Sequence, residues 1–275
     1  MNIQSLSISV PAKCSNNCPF CISKANKTNV KFQNKGYYGR VIDRVKYSVN
    51  SGVNTAIITS RGEPLENLPV TMDILEILNN FINIELQTSG NFLTTETIEQ
   101  LKLYGIKTIS LSLSSLDSKK NAEIMKMPEY DIAEKIKLIQ NYGLNVRLSL
   151  NYNRVGFPVI SNFADAKKLF DEIKKLSPEQ VVFRSLYAPE NTKQFKWIKE
   201  NSNLKDLVII SDFIQKKGNP IYRLPFGNMK YSYEGISVVI DNNCMGHDTE
   251  KIKYFIIREN GKLYTRWDDL GSLLF

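Results

Sequence analysis

Residues 82–114 read INIELQTSGNFLTTETIEQLKLYGIKTISLSLS, and the fold is decided in this stretch. Ile82–Thr88 and Thr108–Ser114 are short apolar runs of strand length. Between them, Thr94–Tyr104 carries an amphipathic helical pattern. Thr94 or Thr95 can cap the start of that helix, and Gly105 stands where a helix end favours a left-handed residue. Two strands separated by one helix imply parallel pairing through a right-handed crossover.

The same unit recurs outward along the chain. Strands are predicted at Leu6–Val10, Thr55–Thr59, Asn145–Asn151 and Gln180–Leu186. Helices are predicted near Gly39–Asn50, Pro69–Asn80, Asp131–Tyr142 and Asn162–Leu176, the third closed by Gly143. Such alternation builds an open doubly wound sheet or a barrel, and six units fit a partial barrel better than a complete eight-unit one. The expected class is therefore α/β, a partial (β/α)6 TIM-like barrel over residues 1–190. After about Asn191 the rhythm changes. Gly218-Asn219-Pro220 and Pro225-Phe226-Gly227 are loop signals, and Ile236–Ile240 and Tyr254–Arg258 read as strands. Glu259-Asn260-Gly261-Lys262 is a tight turn into Leu263–Trp267. Residues 191–275 are expected to be a small C-terminal extension with a β-hairpin, closing the barrel.

Bulk properties narrow the function classes. The 275 residues are 42% hydrophobic, enough for a sizeable core. No run approaches the ~20 apolar residues of a membrane span, and the N-terminus lacks a signal-peptide pattern. The expected compartment is the cytoplasm, with no membrane partner. Lys and Arg number 36 against 28 Asp and Glu, without a long basic block. This charge serves solubility or the attraction of an anionic substrate or acidic peptide; a nucleic-acid partner is not expected. One histidine, His247, disfavours His-rich zinc sites and most His-dependent nucleophile schemes.

Three of four cysteines fall within eight residues, as Cys14-Ser-Asn-Asn-Cys18-Pro-Phe-Cys21, in the loop after the first strand. Ligand sites of parallel strand–helix folds form at that end. Structural zinc prefers four protein ligands, commonly two close pairs. Three thiolates suit a cubane iron–sulfur cluster with one iron left open. A zinc site completed by Cys244 or His247 is the alternative.

CxxxCxxC with an aromatic, Phe20, before the last cysteine resembles the signature of the radical S-adenosylmethionine (SAM) superfamily. The resemblance implies a [4Fe-4S] cluster on Cys14, Cys18 and Cys21, with SAM on the open iron and Phe20 against its adenine. An electron donor such as flavodoxin or ferredoxin is implied as well. Ser60-Arg61-Gly62-Glu63-Pro64 resembles the family's GGEP motif, which binds the SAM amino group. Gly62 is expected to let the ligand approach the backbone, and Glu63 to accept from the ammonium. Arg61 replaces the first glycine.

Gln87-Thr88-Ser89-Gly90 and Ile109–Asp117 resemble the branch containing the molybdenum-cofactor GTP cyclase and several peptide-modifying enzymes. By that resemblance Ser112 touches SAM, and Arg147 falls at a basic substrate contact. The cyclase's two early triphosphate-binding arginines would fall on Ser7 and Ile58, and its second cluster needs three late cysteines where this chain has only Cys244. GTP cyclisation is therefore not expected, nor is an auxiliary-cluster domain. Cys244 is either a small buried hydrophobe or a hydrogen-atom donor, the latter resembling single-cluster peptide epimerases. His247 could orient Cys244 or cap a turn. Trp267 is expected in core packing.

The expected function is radical SAM chemistry on a peptide or small-molecule substrate, with a ribosomally made peptide favoured. Radical modification of a nucleotide, base or metabolite is the enzymatic alternative. A non-catalytic zinc or iron–sulfur binding module is the alternative of another class.

Overall fold

A computed structural model describes residues 3–26, 28, 30–32, 34–79, 81–224, 228–241 and 252–275. Cys244 and His247 lie outside the described residues. In chain order the elements are β1 (Leu6–Val10), α1 (Ile22–Ala25), α2 (Tyr37–Asn50), β2 (Thr55–Ser60), α3 (Leu68–Ile77) and β3 (Asn83–Thr88). Then come α4 (Thr95–Leu103), β4 (Thr108–Leu113), α5 (Ser118–Met125), α6 (Ile132–Asn141), β5 (Asn145–Asn151), α7 (Phe163–Lys175) and β6 (Gln180–Arg184). The remainder is α8 (Lys193–Asn201), α9 (Leu204–Lys217), β7 (Asn219–Arg223), β8 (Met229–Tyr233), β9 (Ile236–Asp241), β10 (Phe255–Ile257) and β11 (Leu263–Tyr264).

Strands β1 to β6 pair in sequence order, all parallel. This is the partial (β/α)6 TIM-like barrel, and the C-terminal hairpin is present as β10 and β11. Residues 191–275 also extend the sheet at both ends. β9 adds parallel to β6, followed by antiparallel β8 and β7, while β10 adds parallel to β1. Among the described residues β7 and β11 end the sheet without pairing to each other.

Local chemistry accounts for the boundaries. Thr94 Oγ1 accepts from Thr97 N at the start of α4. Gly105 and Gly143 take φ +90° and +72° after α4 and α6, the left-handed turn that a side chain disfavours. α5 escapes the sequence reading because it is only eight residues long, yet Asp117 caps it by accepting from Lys120 N.

The barrel strands obey a strict two-residue alternation. Leu6, Ile8, Val10, Ile58, Leu86, Leu111, Leu148 and Phe183 point outward into the buried layer beneath the helices. Much of the inward face is polar: Ser5, Ser7, Thr55, Thr59, Asn83, Gln87, Thr108, Asn145 and Gln180 line a lumen of about 780 Å³ together with Ile57, Val182 and Val239. Complete TIM barrels fill this space with branched apolar side chains; here hydroxyls, amides and charges share the lining with a few of them.

Candidate active site

Parallel strands deliver their following loops to one end of the barrel, so the cysteine loop after β1 meets the loops after β2, β3 and β4. It is anchored from several sides. Asn17 N donates to the Met125 carbonyl at the end of α5 (3.1 Å). Lys24 Nζ donates to Asn16 O and Asn17 Oδ1, both at 2.9 Å. Ser15 donates from its backbone N and its hydroxyl to Glu66 Oε1. Cys21 sits at the start of α1, its carbonyl accepting from Ala25 N.

All three thiols are half-buried. Burial pushes Cys18 up to about 12, with the charges of Cys21 and Cys14 adding to the shift. Burial also raises Cys14, opposed by a backbone hydrogen bond from Asn16 and reinforced by Glu63, Glu66 and Cys21. A cation beside Cys14 and Cys18 would oppose this rise and favour their thiolates. The Cys18 thiol donates to Met125 O at 3.5 Å. Among the described residues no three His, Cys, Asp or Glu side chains stand close enough together to hold a metal ion. The donor set itself fits a cubane cluster: three soft sulfurs from one loop, with one iron corner left for a further ligand.

Glu63, directly after β2, is 3% exposed. Its Oε1 accepts from Thr88 Oγ1 (2.6 Å) and more weakly from Leu65 N (3.3 Å). Its Oε2 accepts from Ser89 N (2.8 Å) and Ser89 Oγ (2.6 Å). Burial raises its pKa and these four donors oppose the rise. A carboxylate so enclosed has ample donors and, among the described residues, no paired cation, the complement of an ammonium group. Tyr130 supports the arrangement by donating to Ser89 O (2.8 Å), and its ring packs where a Cβ on Gly90 would lie.

Gly62 packs tightly against backbone. A Cβ there would lie 2.2 Å from Lys13 O and 2.5 Å from Ala12 O. What approaches Gly62 is thus the backbone leading into the cysteine loop, and Glu63 N donates to the same Lys13 carbonyl at 2.9 Å. Arg61 also has a visible task. Its guanidinium donates to Ser23 O, Asn26 O and Thr28 O, collecting carbonyls at and beyond the end of α1. Arg258, 1% exposed, reaches Thr28 O from the other side and ties it to Arg266 O and Trp267 O.

The other predicted residues divide. Phe20 is buried, 5.4 Å from Trp197 of α8, in a small apolar cluster with Ala25, Ile124, Ala188 and Ile198. Ser112 lies half-buried on the inward face of β4, in register with Ser149. Arg147 stands lower in the lumen, away from Glu63. It is ion-paired with Glu85 and donates twice to Gln180 Oε1. Trp267 lines the lumen, where core packing was expected. Sequence reasoning missed Ser89, Tyr130 and Asn153. Asn153 donates to Ser114 O and accepts from Val155 N and Gly156 N, fixing the loops after β4 and β5. The only signal for Ser89 was its place in Thr-Ser-Gly at a strand end.

A sequence profile of the radical SAM superfamily matches residues 8–193. The chain belongs to the radical SAM superfamily. Membership implies SAM and a [4Fe-4S] cluster as cofactors. An uncharacterized protein of Methanocaldococcus jannaschii is 26% identical over 78% of this chain and 70% of its own length. GTP 3′,8-cyclase of Nautilia profundicola is 24% identical over 78% of this chain and 64% of its own. Among solved structures, Streptococcus suis SuiB bound to precursor peptide SuiA superposes with a TM-score of 0.65 at 18% identity. That match covers 98% of this chain and 61% of SuiB. Methylornithine synthase matches with a TM-score of 0.56 over 78% of this chain. No helix among the described residues is long and apolar enough to cross a membrane.

Proposed function

We propose that this radical SAM enzyme modifies a peptide. Cys14, Cys18 and Cys21 would hold the [4Fe-4S] cluster, and Glu63 would accept from the ammonium of SAM, with Ser112 on the adjoining inward face. When bound and reduced, the cluster supplies the electron that splits SAM and starts hydrogen-atom abstraction. The chain's own residues do the positioning. Ser89 and Thr88 hold Glu63 in one orientation, Arg61 and Lys24 fix the cysteine loop, and the polar lumen receives the substrate. The observation that carries the reading is Glu63 itself: a four-fold hydrogen-bonded, buried carboxylate beside the three-cysteine loop. Peptide modification draws support from the likeness in fold to SuiB, a structure bound to its precursor peptide, over 98% of this chain and 61% of SuiB. Cys244 is then the candidate hydrogen-atom donor of an epimerase-like reaction, and a flavodoxin- or ferredoxin-type protein the electron donor.

Radical modification of a nucleotide is the second reading, favoured by the cyclase relatives. Against it, Ile58, where the cyclase branch would place an arginine, is fully buried on the outward face of β2.

The test is anaerobic reconstitution with iron and sulfide, then reduction in the presence of SAM and candidate peptides in deuterated solvent. The expected result is release of 5′-deoxyadenosine and deuterium in the peptide, with Cys14→Ala, Cys18→Ala and Cys21→Ala each losing the cluster. Intact SAM in the reduced wild type would overturn the assignment. Deuterium uptake unchanged in Cys244→Ala would remove Cys244 from the donor role.

A further inference from the structure

A single rung of polar side chains crosses the barrel from β3 to β9. Gln87 is in register with Ser110 of β4, Ser110 with Arg147 of β5, Arg147 with Gln180 of β6, and Gln180 with Ser237 of β9. Side chains in shared register lie on one face of a sheet, and Gln87, Arg147, Gln180 and Ser237 line the lumen. Glu85 stands two residues before Gln87 on β3, so it reaches the same face.

The charge on this rung is neutralised in place. Glu85 Oε2 is ion-paired with Arg147 Nη1, and Glu85 Oε1 accepts from Gln87 Nε2 (3.4 Å). On its other side Arg147 donates from Nε (3.0 Å) and Nη2 (2.8 Å) to Gln180 Oε1. The carboxylate is nearly sealed from water, its side chain 7% exposed against 24% for Arg147. An anion that reaches Arg147 must displace this buried carboxylate or stand beside it, and both are unfavourable. A neutral amide meets neither obstacle. One N–H on each terminal nitrogen of Arg147 remains to donate to a carbonyl. Ser110 Oγ and Ser237 Oγ, buried without partners among the described residues, can donate or accept.

We propose that Glu85 is a specificity-determining residue of the lumen: by occupying Arg147 it makes the rung a contact for neutral amide and carbonyl groups and turns polyphosphates away. This rests on the peptide reading above and deepens it, since it assigns the residue that separates a peptide from a nucleoside triphosphate. Selectivity of this kind is built by opposing the wrong ligand as much as by attracting the right one. Anion binding needs neither SAM nor a reduced cluster, so it can be read apart from catalysis.

The experiment titrates inorganic tripolyphosphate into the reconstituted full chain by calorimetry. Wild type is compared with Glu85→Gln, Arg147→Gln and the double variant carrying both. Glu85→Gln should bind tripolyphosphate about tenfold or more tightly than wild type, and the double variant should lose that gain. Arg147→Gln alone should leave the wild-type affinity unchanged, which keeps the test decisive if Glu85→Gln does not fold. Circular dichroism reports folding. A folded Glu85→Gln protein with no gain overturns the proposal, as does loss of wild-type tripolyphosphate binding in Arg147→Gln. Deuterium labelling of peptide by the wild type separates the two levels. With labelling, either of those results overturns only the role of Glu85. Tripolyphosphate bound through Arg147 in a wild type that labels no peptide overturns the peptide function as well.

Discussion

Replacing Gly62 with alanine tests the link between the cysteine loop and the SAM-facing loop. The added Cβ would sit 2.2 Å from Lys13 O, 2.5 Å from Ala12 O and 2.6 Å from Lys13 C. All three are backbone atoms, so no side chain can swing aside. The loops have to separate by about an ångström, and the hydrogen bond from Glu63 N to Lys13 O stretches with them. Overpacking of a tight site costs about 1–3 kcal/mol. A lost hydrogen bond adds about 0.5–1.5 kcal/mol, so the expected cost is about 2–4 kcal/mol. Cys14 follows Lys13 directly, so iron and sulfide content after reconstitution should fall together with stability. Gly39 supplies the control: it lies in α2 with nothing within 4 Å of an added Cβ. Gly39→Ala should stabilise by about 0.5–1 kcal/mol through helix propensity and leave the cluster intact. Urea midpoints and iron content are the measurements. A Gly62→Ala protein with the wild-type midpoint and full iron would refute the reasoning.

Arg61→Gly restores the family's glycine but removes three donors from the end of α1. The expected loss is about 1–3 kcal/mol, with faster amide exchange confined to residues following Cys21. Unchanged exchange there would show that α1 holds itself. For Glu63, burial raises the pKa, so its contribution to the stability of the SAM-free fold is greatest in acid and declines as pH rises through the folded value. SAM's ammonium needs the ionised form, so affinity should fall as pH drops through the same value, up to about tenfold per pH unit. Calorimetry in two buffers of different ionisation enthalpy should register proton release on binding, and a pH-independent affinity would exclude the Glu63 contact. Glu85→Gln leaves Arg147 in the lumen without its carboxylate. The expected cost is about 2–3 kcal/mol, at the low side for a broken buried pair because Gln180 and some solvent remain. A urea midpoint equal to wild type would show that the pair is dispensable for stability.

The barrel was legible because strand and helix periods alternate cleanly and the Gly105 and Gly143 stops mark real left-handed turns. Leu6–Val10 and Asn145–Asn151 are reproduced residue for residue. What stayed hidden depends on distant pairing. Phe20 finds Trp197, 177 positions later, only when α8 folds back beside α1. The packing of Gly62 is invisible until the Ala12–Lys13 backbone lies against it, because close approach of a second loop and close approach of a ligand call for the same residue. The Glu85 partner of Arg147 stayed hidden because strand position alone does not say that a carboxylate two strands away reaches it across β4.

The inward faces carry a further consequence. Ser7, Thr59, Gln87, Ser110 and Gln180 alternate with outward Ile8, Ile58, Leu86, Leu111 and Val181, so most inward positions are polar, with Ile57 and Val182 also facing inward. Polar groups removed from water without partners cost free energy, so such a lumen is stable only while its hydroxyls and amides stay hydrated or meet a polar ligand. The same residues that weaken the barrel as a packed object line a lumen of about 780 Å³. Ser110, fully buried on β4 with a hydroxyl that has no partner among the described residues, tests that cost directly: Ser110→Val should raise the urea midpoint, and a midpoint at or below wild type would show that the hydroxyl is satisfied.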